Sequence, residues 1–168
     1  MPAKPPRAKK FQRYDLLKDP KLANLPPSPL NHADDVIALA LQTFAPMWAP
    51  NQPSRVYQSD NYYMCPSLDG AQRIIQLSVT RRMKYVAESF DCDDFAVLLK
   101  ADFSLCSYLN GDRGGGYAFG IVWFTQPSGH AMNFMVNDDG NVRFTEPQRG
   151  VVIEPSDMVR SGITLAVL

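Results

Sequence analysis

The chain has 168 residues, 45% of them apolar, and a formal net charge of zero. That size supports one well-formed core and predicts one domain. No apolar run approaches bilayer-spanning length and the N-terminus lacks the apolar stretch of a secretory signal, so a cytoplasmic protein without a membrane span is expected.

The zero charge hides an uneven distribution. Residues 1–13 carry Lys4, Arg7, Lys9, Lys10 and Arg13 and no acid, which leaves an acidic remainder. Five charges without interleaved aromatics make a weak nucleic-acid footprint, so contact with nucleic acid through this stretch is not expected. Pro20, Pro26, Pro27 and Pro29 follow too closely for a helix. Residues 1–30 therefore read as a basic, proline-rich, flexible arm, and residues 31–168 as the single domain.

Asn31 or His32 opens a first helix through Phe44, with Asp34 and Asp35 in its first turn and Pro46 just past its end. His32 is expected at the surface or as a cap. From Pro46 to Cys65 an aromatic-rich loop carries Trp48, Tyr57, Tyr62 and Tyr63, either covering the core or lining a groove. Pro66-Ser67 caps a second helix from Leu68 to about Thr80, and Arg81, Arg82 and Lys84 follow where a helix dipole favours cations.

Phe95, Leu98, Leu99, Phe103, Cys106 and Leu109 recur at steps of three and four, which predicts a central amphipathic helix ending near Asn110. Cys92 sits at its first turn, where unpaired backbone N–H groups and the positive end of the dipole favour a thiolate. Asp93 and Asp94 work against this, since neighbouring carboxylates raise a thiol pKa. A reactive Cys92 thus needs a cationic partner, a metal ion beside the carboxylates, or both. Cys65, Cys92 and Cys106 match no zinc spacing, and Cys106 lies roughly 21 Å beyond Cys92 along the helix, so reduced cysteines are expected.

Gly111-Asp112-Arg113-Gly114-Gly115-Gly116 lacks the Lys-Ser/Thr of a P-loop and reads as a flexible connection or lid. Strands follow at Tyr117–Thr125, His130–Val136, Val142 to about Ile153 with an interruption at Pro147, and Gly162–Leu168. Helices first and strands second predict an α+β fold, with N-terminal helices packed on a C-terminal antiparallel sheet. A cysteine on a helix start, a histidine heading a strand and an acid on the next strand is how papain-like folds assemble a Cys–His–acid site, here Cys92, His130 and Glu146.

Hairpin register decides whether that site can form. A two-residue turn at Asp139-Gly140 would put Glu146 and His130 on opposite faces. A three-residue loop, Asp138-Asp139-Gly140, with Gly140 left-handed, would set His130 opposite Gln148 and diagonal to Glu146. Gln148 is then a rival orienter of the imidazole, or an amide donor to an oxyanion.

Phe90-Asp91-Cys92-Asp93-Asp94-Phe95-Ala96, Tyr117–Trp123, Gly129-His130-Ala131-Met132-Asn133 and Glu146-Pro147-Gln148 resemble the papain-like cysteine protease domain at the C-terminus of the Marasmius oreades agglutinin family. The resemblance implies a thiol protease with a Cys92–His130–Glu146 catalytic triad, a protein or peptide substrate, and dependence on calcium or a similar divalent cation, for which Asp93 and Asp94 are the candidate ligands. The N-terminal part is too short for the family's sugar-binding trefoil and has no internal repeat, so lectin activity is not expected. The main expectation is a cysteine peptidase hydrolysing peptide or isopeptide bonds. Its alternatives are an amidase or transglutaminase-like enzyme with the same triad, and a non-catalytic binding module on the same fold.

Overall fold

The computed structural model describes Leu25 and residues 28–52, 54–109 and 114–168. Residues 1–24, 26 and 27 of the expected arm and residues 111–113 of the glycine-rich connection lie outside the described residues.

Strand β1 (Leu30–His32) leads directly into helix α1 (Ala33–Phe44). His32 caps that helix through its ring, which accepts a hydrogen bond from Asp34 N–H at 3.3 Å. The aromatic loop after α1 contributes two short strands, β2 (Val56–Tyr57) and β3 (Tyr62–Met64). Helix α2 (Leu68–Leu77) starts at Ser67, whose side chain accepts from Gly70 N–H, and gives way at Ser78 to a turn of 3₁₀ helix, Val79–Arg82. Helix α3 (Cys92–Leu109) is the expected central helix. Its buried residues Phe95, Leu99, Phe103 and Cys106 follow the expected spacing, joined by Ala96 and Asp102.

Strands β4 (Gly116–Tyr117), β5 (Phe119–Gln126), β6 (His130–Val136), β7 (Val142–Glu146), β8 (Val151–Ile153) and β9 (Ser161–Val167) complete the described elements. They form two sheets, one in the order β1-β3-β4 and the other β2-β9-β5-β6-β7-β8. The expectation of a purely antiparallel sheet is corrected, because β3 pairs parallel with β4 and β2 parallel with β9. Both parallel pairs recruit strands from the loop between α1 and α2. Ala118 joins the two sheets: its N–H donates to Met64 O at 2.8 Å and its carbonyl accepts from Val136 N–H at 3.0 Å.

The larger sheet is covered on both faces, and its strand alternation sorts the core accordingly. On one face Val122, Phe124, Met132, Phe134 and Phe144 pack with Val36, Ala40 and Phe44 of α1. On the other, Phe119 and Met135 pack with Ile74 and Ile75 of α2 and Leu99 and Phe103 of α3. The Phe103 and Phe119 rings stack with centroids 3.6 Å apart. Lys100 Nζ adds a polar tie between α3 and β5, donating to Phe119 O at 2.8 Å. Among the described residues no helix is long and apolar enough to cross a membrane.

Candidate functional site

Helix α3 and the β6–β7 hairpin position the candidate residues. At the helix start, Asp94 Oδ2 accepts a hydrogen bond from Asp91 N–H at 3.1 Å, the reach-back half of a capping box, so Cys92 begins the first turn. Cys92 is half-buried and packs beside a small cluster of Ala96, Ile121 and Ala131, with Trp123 against the same cluster.

The hairpin has the odd-loop register. Val136 pairs with Val142, Asn137 N–H donates to Asn141 O at 2.9 Å, and Gly140 at φ 75° turns the three-residue loop. Glu146 therefore lies one step beyond the last β6–β7 pair, Asn133 and Thr145, diagonal to His130. His130 Nε2 and Glu146 Oε2 are 2.8 Å apart, with side chains only 11% and 14% exposed. The second carboxylate oxygen, Oε1, accepts from the backbone N–H of Gln148 at 3.4 Å. Gln148 thus holds the glutamate through its main chain, a role the side-chain reading missed. Arg81, from the turn after α2, donates to Arg149 O and lies over Gly150, anchoring the turn that carries Gln148.

The structure brings His130 and Glu146 together, and Cys92 approaches from the α3 side of the sheet. Strand alternation puts His130 in the row of Met132 and Phe134, while Ala131 and Asn133 face α3. Among the described residues no hydrogen bond joins Cys92 Sγ to the imidazole. Nε2 is engaged by Glu146, and Nδ1 has no hydrogen-bond partner among the described residues.

Asp93 and Asp94, the expected metal ligands, part company. Asp94 is committed to the helix cap, and the group whose ligand atoms lie within 4.8 Å of one another is Asp91, Cys92 and Asp93. The Asp93 carboxyl is raised above its ordinary range, first by the hydrogen bond it shares with Asp91 and then by burial. Asp91 and Asp93 offer carboxylate oxygens and Cys92 a thiol, whereas calcium takes about six to eight oxygen ligands. Asp91 was detectable in the sequence as the cap position three residues before Asp94.

The profile of the family described as "Ricin-type beta-trefoil lectin C-terminal domain" matches residues 35–167. Among solved structures, the PSL1a–E64 complex is similar at 24% identity and TM-score 0.67, covering 83% of this chain and 51% of that one. The Polyporus squamosus lectin bound to the human-type influenza-binding epitope Neu5Aca2-6Galb1-4GlcNAc is similar at 22% identity and TM-score 0.66, covering 83% and 49%. The chain thus spans about half the length of these structures. No curated protein matches. The family match overturns the expectation of a papain-like cysteine peptidase, and with it the thiol-protease and catalytic-triad reading, because the family is one of lectin domains.

Proposed function

With membership of the ricin-type β-trefoil lectin C-terminal domain family established by a match over residues 35–167, we propose that this chain is a non-catalytic binding module on a papain-like α+β fold. Its ligand class is carbohydrate, and the family match is the observation that carries this reading. The proposed binding site is the rim of the larger sheet at the His130–Glu146 end of the β6–β7 hairpin, with Cys92 and Trp123 on its α3 face and His130 and Glu146 in the opposite row. There, a few fixed polar groups stand beside partly buried apolar surface, the usual make-up of a small-ligand site.

His130 presents Nδ1 to the ligand while Glu146 fixes the ring through Nε2. The Gln148 side chain supplies an amide at the rim, and the half-buried Trp123 offers a ring face beside Cys92. Cys92 serves here as a small apolar contact, in keeping with its place against Ala96, Ile121 and Ala131.

Titration calorimetry against neutral and sialylated oligosaccharides, Neu5Aca2-6Galb1-4GlcNAc among them, tests the proposal. Saturable binding that is lost in both His130→Ala and Trp123→Ala is expected. Absence of binding to every oligosaccharide would overturn it, as would turnover of a peptide substrate that disappears in Cys92→Ala.

A further inference from the structure

One turn of α3 below Cys92, two wholly buried polar side chains stand on directly paired positions of β6 and β7. Asn133 and Thr145 are directly paired in the ladder, each at 0% exposure. Directly paired residues share a face of the sheet, and Asn133 faces α3, because its Nδ2 donates to Ala96 O at 2.9 Å and to Gly120 O at 3.1 Å.

Those two partners are carbonyls, which only accept, so the amide orientation is determined by its surroundings: the nitrogen faces them and Oδ1 faces away. Asn133 Oδ1 then has no hydrogen-bond partner, and neither does Thr145 Oγ1 on the facing residue. An acceptor and a hydroxyl, both buried and unpartnered on opposed positions, are rarely left so, since a buried polar atom without a partner costs stability.

We infer that Asn133 Oδ1 and Thr145 Oγ1 bind one ordered water molecule between β6 and β7. The water donates one proton to Oδ1 and exchanges a second hydrogen bond with Oγ1, the kind of bridge that buried waters make between polar groups. Its position has a structural consequence. Asn133 already ties Ala96 of α3 to Gly120 of β5, and the water extends that tie to Thr145, the residue before Glu146. The helix carrying Cys92 and the strand carrying Glu146 are thereby joined through one polar chain. This inference is independent of what the proposed site binds.

The experiment compares Thr145→Val and Thr145→Ser with the unaltered full chain by denaturant unfolding, alongside a high-resolution crystal structure. Valine is nearly isosteric but lacks the hydroxyl. With the water present, its loss strands Asn133 Oδ1, and the unfolding constant of Thr145→Val rises about tenfold while Thr145→Ser stays near the parent. Electron density for a water within hydrogen-bond distance of both atoms completes the support. A Thr145→Val variant as stable as the parent, or more so, overturns the inference. So does a crystal structure in which the two side chains bond each other directly.

Discussion

Glu146 reaches His130 diagonally across the β6–β7 ladder, Oε2 to Nε2 at 2.8 Å, because the hairpin loop holds an odd number of residues. With an even loop the two side chains would emerge from opposite faces of the sheet. The contact is therefore a property of the Asp138-Asp139-Gly140 turn as much as of the residues that make it.

This coupling predicts a graded response at Glu146. Glu146→Gln keeps an oxygen able to accept from the imidazole or from Gln148 N–H, whereas Glu146→Ala keeps neither. Oligosaccharide affinity measured by calorimetry should fall about tenfold in the alanine variant and by a smaller factor in the glutamine variant. Equal losses in the two would show that only the charge matters.

The three thiols differ in access and in chemistry. Burial pushes the Cys65 thiol up to about 11 and the Cys106 thiol up to about 12, while Cys92 is only half-buried. Iodoacetamide applied to the native protein near pH 8 should modify Cys92 alone, and mass spectrometry should find no label in Cys92→Ala. Comparable labelling of Cys65 or Cys106 would mean that their covering elements open readily.

Arg143 is the centre of a charged network that braces the same hairpin. Its Nε donates to Glu154 Oε1 at 2.7 Å, and Nη1 donates to Asn137 Oδ1 at 3.1 Å and lies 2.9 Å from Asp139 Oδ2. For Asp139, burial pushes the carboxyl up, but hydrogen bonds from Asn141 and Arg143 outweigh it, and the pKa is lowered. A carboxylate with a depressed folded pKa contributes stability that is present above its unfolded pKa and lost as pH falls through the folded value. Acidification from the ordinary carboxylate range downward should therefore weaken the fold. Arg143→Met should flatten that part of the pH profile and cost about 1–2 kcal/mol at neutral pH, a modest figure because both acids are half-exposed. An unchanged acid limb in thermal unfolding would remove Asp139 from this role.

Gly120 allows a close approach in the larger sheet that a side chain would block. A Cβ built there would come within 2.3 Å of the Phe134 ring and 2.4 Å of Val167 O. The ring is wholly buried and the carbonyl is backbone, so neither can give way at low cost. Gly120→Ala should destabilise the protein by about 3 kcal/mol, readable as a shift of the denaturant midpoint.

Much of this arrangement was legible in the residues. The step-three and step-four spacing from Phe95 to Cys106 located α3, whereas Asp139-Gly140 fitted a two-residue and a three-residue loop equally, so the register of Glu146 stayed open until the hairpin was seen. Less legible were pairings made by segments too short to show a period. Val56–Tyr57 and Tyr62–Met64 are two and three residues long, and their parallel partners lie far away in sequence. The site was half legible for a chemical reason. Cysteine, histidine and glutamate in that order suit a site that holds a ligand as well as one that transforms it, so motif order could not choose between the two. Asp91 was missed as a neighbour of Cys92 and Asp93 because a helix cap and a ligand group look alike in one dimension.

Ala118 belongs to neither of the strands that flank it, yet one of its bonds reaches Met64 and the other Val136. Shearing the small sheet against the large one would have to break one of these two bonds and strand a polar group at a residue sealed from solvent. The amides of Ala118 and Val136 should consequently exchange with deuterium at matched slow rates, reporting that the two sheets melt together as one cooperative block.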